Sequence, residues 1–341
     1  MGLLLLLLLF YLPTPYHLLK PGLALPLTET ILIEGESYRP QGEILLTSVA
    51  SERATPFDII SQLLLPQEGV ELVHLGRQLP PGVEMEEYLQ LMQELMEESK
   101  MKAKVVALSR VGEEAEISGG GAEVVEIMDQ SRAQGLLHTG DVITAADGRT
   151  LQLATELVQL VEDREIGEAV NLQVLDNEGQ AREVEVKTRE FGDRPGKASI
   201  GILIRSYQLE YDFSRQIEIR TQRIVGPSAG LMFTLEIINQ LTPEDLTGGR
   251  RLAGTGTIDL EGEVGPIDGV QQKILAAHRE RAEFFILPYK NLEQVEGWDS
   301  PLELIPVKNI QQLLELLEND RLSQKVFSPQ PVFSLPVGQA V

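Results

Sequence analysis

The chain reads as an α+β protein interrupted by a small β-rich module, and three observations predict this. Residues 28–49 alternate apolar and polar side chains at strand period around a turn signal at Arg39-Pro40-Gln41-Gly42. Residues 86–108 place Tyr88, Leu89, Leu91, Met92, Leu95 and Met96 along one side of a long amphipathic helix. Residues 231–240, LMFTLEIINQ, read as a helix buried over most of its surface.

The 341 residues suffice for two or three domains and a sizeable core. An apolar fraction of 43% and a charged fraction of 24% are ordinary for a globular chain. Net charge is −23, from 52 acidic against 29 basic residues, which argues against nucleic acid as a partner and against electrostatic attraction to an anionic membrane. Absence of cysteine excludes disulfides and thiol catalysis. His17, His74, His138 and His278 are too scattered to make a metal site, so no metal is expected. Gly196-Lys197 is followed by Ala198, and Phe191 stands where a phosphate-binding loop needs its first glycine, so no nucleotide cofactor is expected either.

In chain order, residues 1–20 form an apolar segment. Residues 3–9 are all leucine, continued by Phe10, Tyr11 and Leu12. Ten apolar residues make ~15 Å of helix against a bilayer core of ~30 Å, so the run does not span by itself and reads as a short anchor, a truncated one or a buried segment. Residues 21–112 supply the strands and long helix described above. The methionines of that helix are read as core.

Residues 113–190 form the separate module. Residues 123–128 are strand-like, Asp147-Gly148 is a hairpin signal, residues 153–161 are helical, and residues 169–175 and 182–188 pair through Asp176-Asn177-Glu178-Gly179. Residues 191–320 hold the candidate chemistry. Residues 321–341, with three prolines among the last fifteen, are expected to be a disordered tail.

The chemistry centres on Gly226-Pro227-Ser228-Ala229-Gly230 and on Lys273. Ser228 occupies a glycine-flanked bend before the apolar helix, open to a substrate carbonyl, with Pro227 presetting the turn. A serine hydroxyl becomes a nucleophile only when a base takes its proton, and a lysine can serve once burial lowers its pKa from ~10.4 towards ~7 to 8. Val264, Pro266, Ile267, Ile274, Leu275, Ala276 and Ala277 surround Lys273 with apolar side chains suited to that shift. Backbone amides at the start of the serine helix would face a developing oxyanion.

Three stretches carry a resemblance to a known family: GPSAGLMFTLEIINQLTPEDLTGG, LAGTGTIDLEGEVGPIDGVQQK and FFILPYKN. They resemble the Lon-type serine proteases, and specifically their membrane-anchored, ATP-independent subgroup with a PDZ domain. The run LLHTGDVITAADGRT is similar to protease-associated PDZ domains of bacteria, which identifies the inserted module as a PDZ fold, a β-rich and partly open barrel.

The resemblance implies Ser228 as nucleophile, Lys273 as general base, and supporting places for Thr255 near the lysine and Gly226 in the bend. A threonine hydroxyl bonded to its own backbone remains the other reading of Thr255. The resemblance also implies protein or peptide substrates, no cofactor, a peptide ligand for the PDZ domain, a membrane anchor at the N-terminus and a catalytic part outside the cytoplasm in a bacterial envelope. A homo-oligomeric ring and packing of residues 21–112 against the protease domain follow from it too. Leu153, Leu157 and Leu160 are groove candidates or, equally, core, and Gly119-Gly120-Gly121 is either a carboxylate-binding loop or a flexible entry to Glu123.

Val225 and Asp268 stand where the family usually has glycine, and Arg281 where a glycine normally ends the lysine helix. Asp268 matters most, since a nearby carboxylate raises a lysine pKa unless it faces solvent. Two rival readings follow. One is a catalytically silent peptide-binding scaffold. The other is an α/β-hydrolase-like esterase, for which the bend fits G-x-S-x-G and His278 is the histidine that follows it.

Overall fold

The computed structural model describes residues 9–78, 85–190, 196–221 and 224–318. The leucine run at residues 3–8 and the tail at residues 321–341 lie outside the described residues.

A six-stranded sheet forms the main body. Its strands Glu303–Val307, Phe284–Pro288, Arg251–Gly254 and Glu43–Arg53 run parallel, and Tyr16–Pro26 and Glu71–His74 continue the sheet antiparallel. Ile44 faces Leu252 across the ladder, so residues from both sides of the inserted module share one sheet. Tyr16–Pro26 pairs on both edges, which makes residues 16–20 part of the sheet, whereas the sequence assigns them to the apolar N-terminal segment.

The pleat sends alternate side chains to two cores. Ile44, Leu46, Leu252 and Ile286 join the core beneath the helix Gly230–Leu241, called here the serine helix. Leu45, Ala253, Phe285 and Leu287 join the opposite core with Ile274 and Ala277 of Val270–Arg279, the lysine helix. Two helices on opposite faces of one sheet can bring side chains together only at an end of its strands. Here that end is the carboxyl end of Arg251–Gly254, the place where parallel sheets generally expose their functional groups.

The lysine helix ends in a Schellman motif, with Ala282 N–H on Ala277 C=O and Arg281 N–H on His278 C=O. Arg281 adopts φ +58°, so the left-handed cap is kept without glycine.

The long helix, Met85–Arg110, contributes Met96, Ala103, Val106, Ala107 and Leu108 to the core around the serine helix. Its buried set also includes Glu98, Ser99, Lys100 and Lys102, which an amphipathic reading places on a solvated face. The inserted module covers Glu98 and Lys102, and the bend ahead of the serine helix covers Ser99. Glu98 and Lys102 form a buried ion pair at 2.8 Å. Thr155 donates to Glu98 at 2.9 Å and accepts from Lys102, and Ser206 donates to the other oxygen of Glu98. Such a pair is costly to bury and more costly to break, so it fixes how helix and module dock rather than adding much stability.

The module's sheet runs in the order Ala181–Lys187, Ala169–Leu175, Val142–Ala146, Ala122–Ile127 and Ile202–Ser206. Arg149–Thr150 folds back on Val142–Ala146 across Asp147 and Gly148, both at positive φ, as the hairpin signal requires. Ile202–Ser206 lies beyond the 113–190 expected for the module. The helix Ala154–Glu162 closes its core with Leu157 and Val161. Two groove candidates prove to be core: Leu157 is buried in this core, and Leu153 packs against Val105 of the long helix. Nor do Gly119-Gly120-Gly121 form an open anion loop, because Gly120 N–H bonds Tyr207 C=O and Gly121 N–H bonds Gln152 C=O.

Within the serine helix, Glu236 is fully buried. Gln240 donates to it at 2.7 Å, and Thr28 and Asn239 lie beside the carboxyl as further polar neighbours. Burial pushes its carboxyl from 4.5 up to about 7. The folded chain therefore holds this proton more tightly than the unfolded chain, and stability from this group falls as pH rises from 4.5 to 7. Urea denaturation at pH 5 and pH 8 should show wild type losing about 3 kcal/mol more than Glu236→Gln across that interval. Equal losses would mean that Glu236 titrates normally.

Candidate active site

Ser228 sits in a single 3-10 turn, Pro227–Ala229, immediately before the serine helix. Gly226 enters that turn at φ +94°, a conformation that excludes side chains and explains glycine there. As the second residue of its turn, Ser228 has an N–H with no acceptor inside that turn. Two groups of the long helix hold the bend. Met92 C=O accepts from Gly226 N–H at 2.9 Å, and Ser99 Oγ donates to Pro227 C=O at 2.9 Å. The helices approach so closely that a Cβ on Gly230 would lie 2.7 Å from Ser99 Oγ.

From the opposite face, Lys273 comes off the first turn of the lysine helix, its N–H bonded to Gly269 C=O. Its Nζ lies 2.9 Å from Ser228 Oγ and 3.0 Å from Thr255 Oγ1. Lysine and threonine are buried, at 4% and 0% exposure, whereas Ser228 is half-buried, leaving the hydroxyl as the open side of the group. Burial takes the Lys273 amine from 10.5 down to about 8, with Asp268 opposing the change. Asp268 is exposed in its turn, which keeps its opposition weaker than the desolvation.

Thr255 follows the strand Arg251–Gly254 directly, and Ile286 C=O anchors its N–H at 3.0 Å. Its hydroxyl donates to Ser228 C=O at 2.9 Å, because a carbonyl can only accept. The threonine oxygen is then free only to accept, so it takes an N–H of Lys273. A neutral amine with one N–H committed this way can turn its lone pair to Ser228 Oγ. Gly256 N–H on Ser228 C=O at 2.8 Å makes a second tie to the same carbonyl.

Ser228, Lys273, Thr255 and Gly226 are thus brought together. His278 is not. It is exposed in the last turn of the lysine helix, on the far side of Ala276 and Ala277 from Lys273, which removes the geometry an esterase relay needs. Asn291 and Thr47 also support the site. Asn291 bonds both N–H and C=O of Ile267 ahead of the lysine helix, and Thr47 Oγ1 donates to Gly254 C=O. Sequence reading missed Met92, Ser99, Thr47 and Asn291. Ser99 sits among charged neighbours that mask it, and Met92 acts through its backbone.

Residues 223–319 match the Lon protease (S16) C-terminal proteolytic domain, and residues 92–188 match the PDZ domain. The chain is 36% identical over 136 residues to Lon protease 2 of Bacillus subtilis (strain 168), covering 38% of this chain and 22% of that protein. It is 35% identical over 106 residues to Lon protease of Escherichia coli (strain K12), covering 30% and 13%. The chain therefore spans less than a quarter of the length of these curated relatives. Among solved structures, the PDZ domain of the SdrC-like protein from Listeria monocytogenes is similar at 25% identity and a TM-score of 0.24, covering 25% of this chain and 87% of that one. The chain carries a Lon-type proteolytic domain, which is a serine peptidase domain, and a PDZ domain.

If the neutral amine is the working form, kcat/KM on a peptide substrate should rise to half its plateau near pH 8. Removing the opposing carboxylate with Asp268→Asn should lower the lysine pKa further and move that midpoint to lower pH. A profile from pH 6 to 10 checks both, and a midpoint that moves upward in the variant contradicts this electrostatic account.

Proposed function

We propose that this protein is a serine endopeptidase that cuts unfolded or flexible protein segments without ATP, with Ser228 as nucleophile and Lys273 as general base. The observation that carries the reading is the buried amine of Lys273 within hydrogen-bonding distance of Ser228 Oγ, with Thr255 holding one of its protons. Lys273 takes the Ser228 proton as Oγ attacks the scissile carbonyl, and Ser228 N–H stabilises the oxyanion. The resulting ammonium then protonates the leaving amine, and an acyl-enzyme remains. Lysine, neutral again, removes a proton from water, whose oxygen attacks the ester; returning that proton to Oγ frees the acid product. ATP independence rests on the resemblance to the subgroup that carries a PDZ domain, and the PDZ-domain match at residues 92–188 supports it.

The PDZ domain would bind a peptide by strand addition. Ile202–Ser206 is hydrogen-bonded on one edge only among the described residues, and Ala154–Glu162 packs beside it. Val158 and Leu160 are the apolar side chains of that helix left in contact with solvent. An N-terminal membrane anchor, with the catalytic part outside the cytoplasm and a homo-oligomeric assembly, belongs to the same proposal. The leucine run at residues 3–9 supports the anchor, and the compartment and assembly rest on the family resemblance. Among the described residues no helix is long and apolar enough to cross a membrane. Alkaline carbonate extraction of bacterial membranes should leave the full chain in the pellet, and release into the supernatant would remove the anchor.

The central test measures cleavage of an unfolded protein with and without ATP. Ser228→Ala and Lys273→Ala should each lose at least about a thousandfold in rate, His278→Ala should match wild type, and ATP should change nothing. Loss in His278→Ala with Lys273→Ala still active would overturn the dyad. Peptide binding with no cleavage by folded wild type would favour the silent scaffold.

A further inference from the structure

We propose that the open cleft between the long helix and the PDZ domain holds the stretch of substrate beside the scissile bond, and that it selects extended segments in which a lysine or arginine accompanies apolar side chains. The proposal rests on the peptidase reading of Ser228 and Lys273 and adds a substrate class to it.

The cleft measures about 810 Å³, within the range of sites that enclose a ligand. One wall is the long helix from Gln90 to Met101, a second is the chain from Arg205 to Leu209 where the last PDZ strand ends, and a third includes Ile224 and Val225. Position ties it to the nucleophile. Val225 stands three residues before Ser228, at most ~10 Å of extended chain. The helix that lines the cleft is also the one whose Met92 carbonyl and Ser99 hydroxyl hold Gly226 and Pro227. A polypeptide lying in the cleft is thereby registered against Ser228 Oγ by a single rigid element.

Chemistry sets the preference. Leu95, Ile224 and Val225 are only partly covered, so the cleft offers apolar surface. Val225 has no backbone hydrogen bond among the described residues, which leaves its N–H and C=O for an extended strand. Among the described residues, four carboxylates line the cleft, from Glu94, Glu97, Glu98 and Glu123, against the guanidinium of Arg205. Arg205 is held by Glu123 through two nitrogens, at 2.9 and 3.0 Å, and Glu98 is consumed by Lys102. Lys100, the partner of Glu97, is itself almost wholly buried. What the open side presents to a ligand is chiefly Glu97, with 60% of its side chain exposed; Glu94, 35% exposed, accepts from Gln90 at 3.2 Å and lies 3.7 Å from the Arg205 guanidinium, whose charge Glu123 already offsets. A cationic side chain fits there, and an acidic one is repelled.

The experiment measures binding by fluorescence anisotropy to the full chain carrying Ser228→Ala, which separates binding from cleavage. The probes are two unstructured peptides of equal apolar content, one with arginine and one with glutamate at the same positions. The arginine peptide should bind more tightly, and Glu94→Arg with Glu97→Arg should weaken it about fivefold or more while strengthening the glutamate peptide. A photoreactive benzophenone in the arginine peptide should label residues 90–101 or 205–211, a readout that needs no cleft variant to fold. Labelling elsewhere, or affinities that ignore the charge reversals at unchanged melting temperature, would overturn the cleft while leaving the dyad intact. Binding as expected, with an inactive wild type, would sink the peptidase reading alone. If the reversals change only the concentration dependence of self-association, the cleft is an interface with a second copy of the chain and the proposal fails.

Discussion

The site depends on one costly arrangement, an amine taken out of water and given two hydroxyls for company. Among the described residues Lys273 has no buried carboxylate beside it to keep it charged; Asp268 lies in an exposed turn. Desolvation therefore wins, and the amine falls to about 8, where an appreciable fraction is neutral under ordinary conditions. The sheet makes this possible by placing the two helices on opposite faces. Only at the carboxyl end of Arg251–Gly254 can the lysine reach past the strand to the serine, and Thr255 occupies that passage. Thr255 also ties the amine to the backbone of the residue it is to deprotonate.

The long helix is the second organising element, because it serves two bodies at once. One side holds the nucleophile bend through Met92 and Ser99. Another docks the PDZ domain through the buried Glu98–Lys102 pair and its hydroxyl partners Thr155 and Ser206. Ser99 and Glu98 are adjacent in the chain. Any change in how the PDZ domain sits on this helix is therefore delivered within one residue of the group bonded to Pro227 C=O. Hydrogen-bonded ion pairs of this kind define one docking geometry, since every alternative leaves a charge buried and unpaired.

Helices, hairpins and the chemical motif were the most legible parts of the chain. The PDZ hairpin at Asp147-Gly148 and the pair joined at 176–179 follow from local turn chemistry, and the serine helix from its uninterrupted apolar run. Less legible was Tyr16–Pro26, whose two prolines and glycine read poorly as a strand. It is tolerated through the irregular register between Pro21 and Ala24. Whether Leu153 and Leu157 line a groove or a core was left open by the sequence for a related reason. An apolar stripe on a helix does not reveal which neighbour it faces, and here the neighbours are the module's own core and the long helix.

The sequence by itself singled out Ser228 and Lys273 as the candidate pair, through a serine between glycines, a lysine among apolar residues and the resemblance carried by the stretches around them. It marked some positive-φ positions as well, Gly148 and Gly226 among them, but not Arg281, which takes φ +58° where no glycine signals it. Only the tertiary structure decided that the lysine is dry, that the Thr255 hydroxyl faces Ser228 C=O and Lys273 rather than its own backbone, and that Ser99 supports the bend. Those outcomes depend on contacts between segments 18 to 128 residues apart in the chain. Desolvation and hydroxyl orientation are properties of the surrounding groups, and local sequence does not specify which groups those will be.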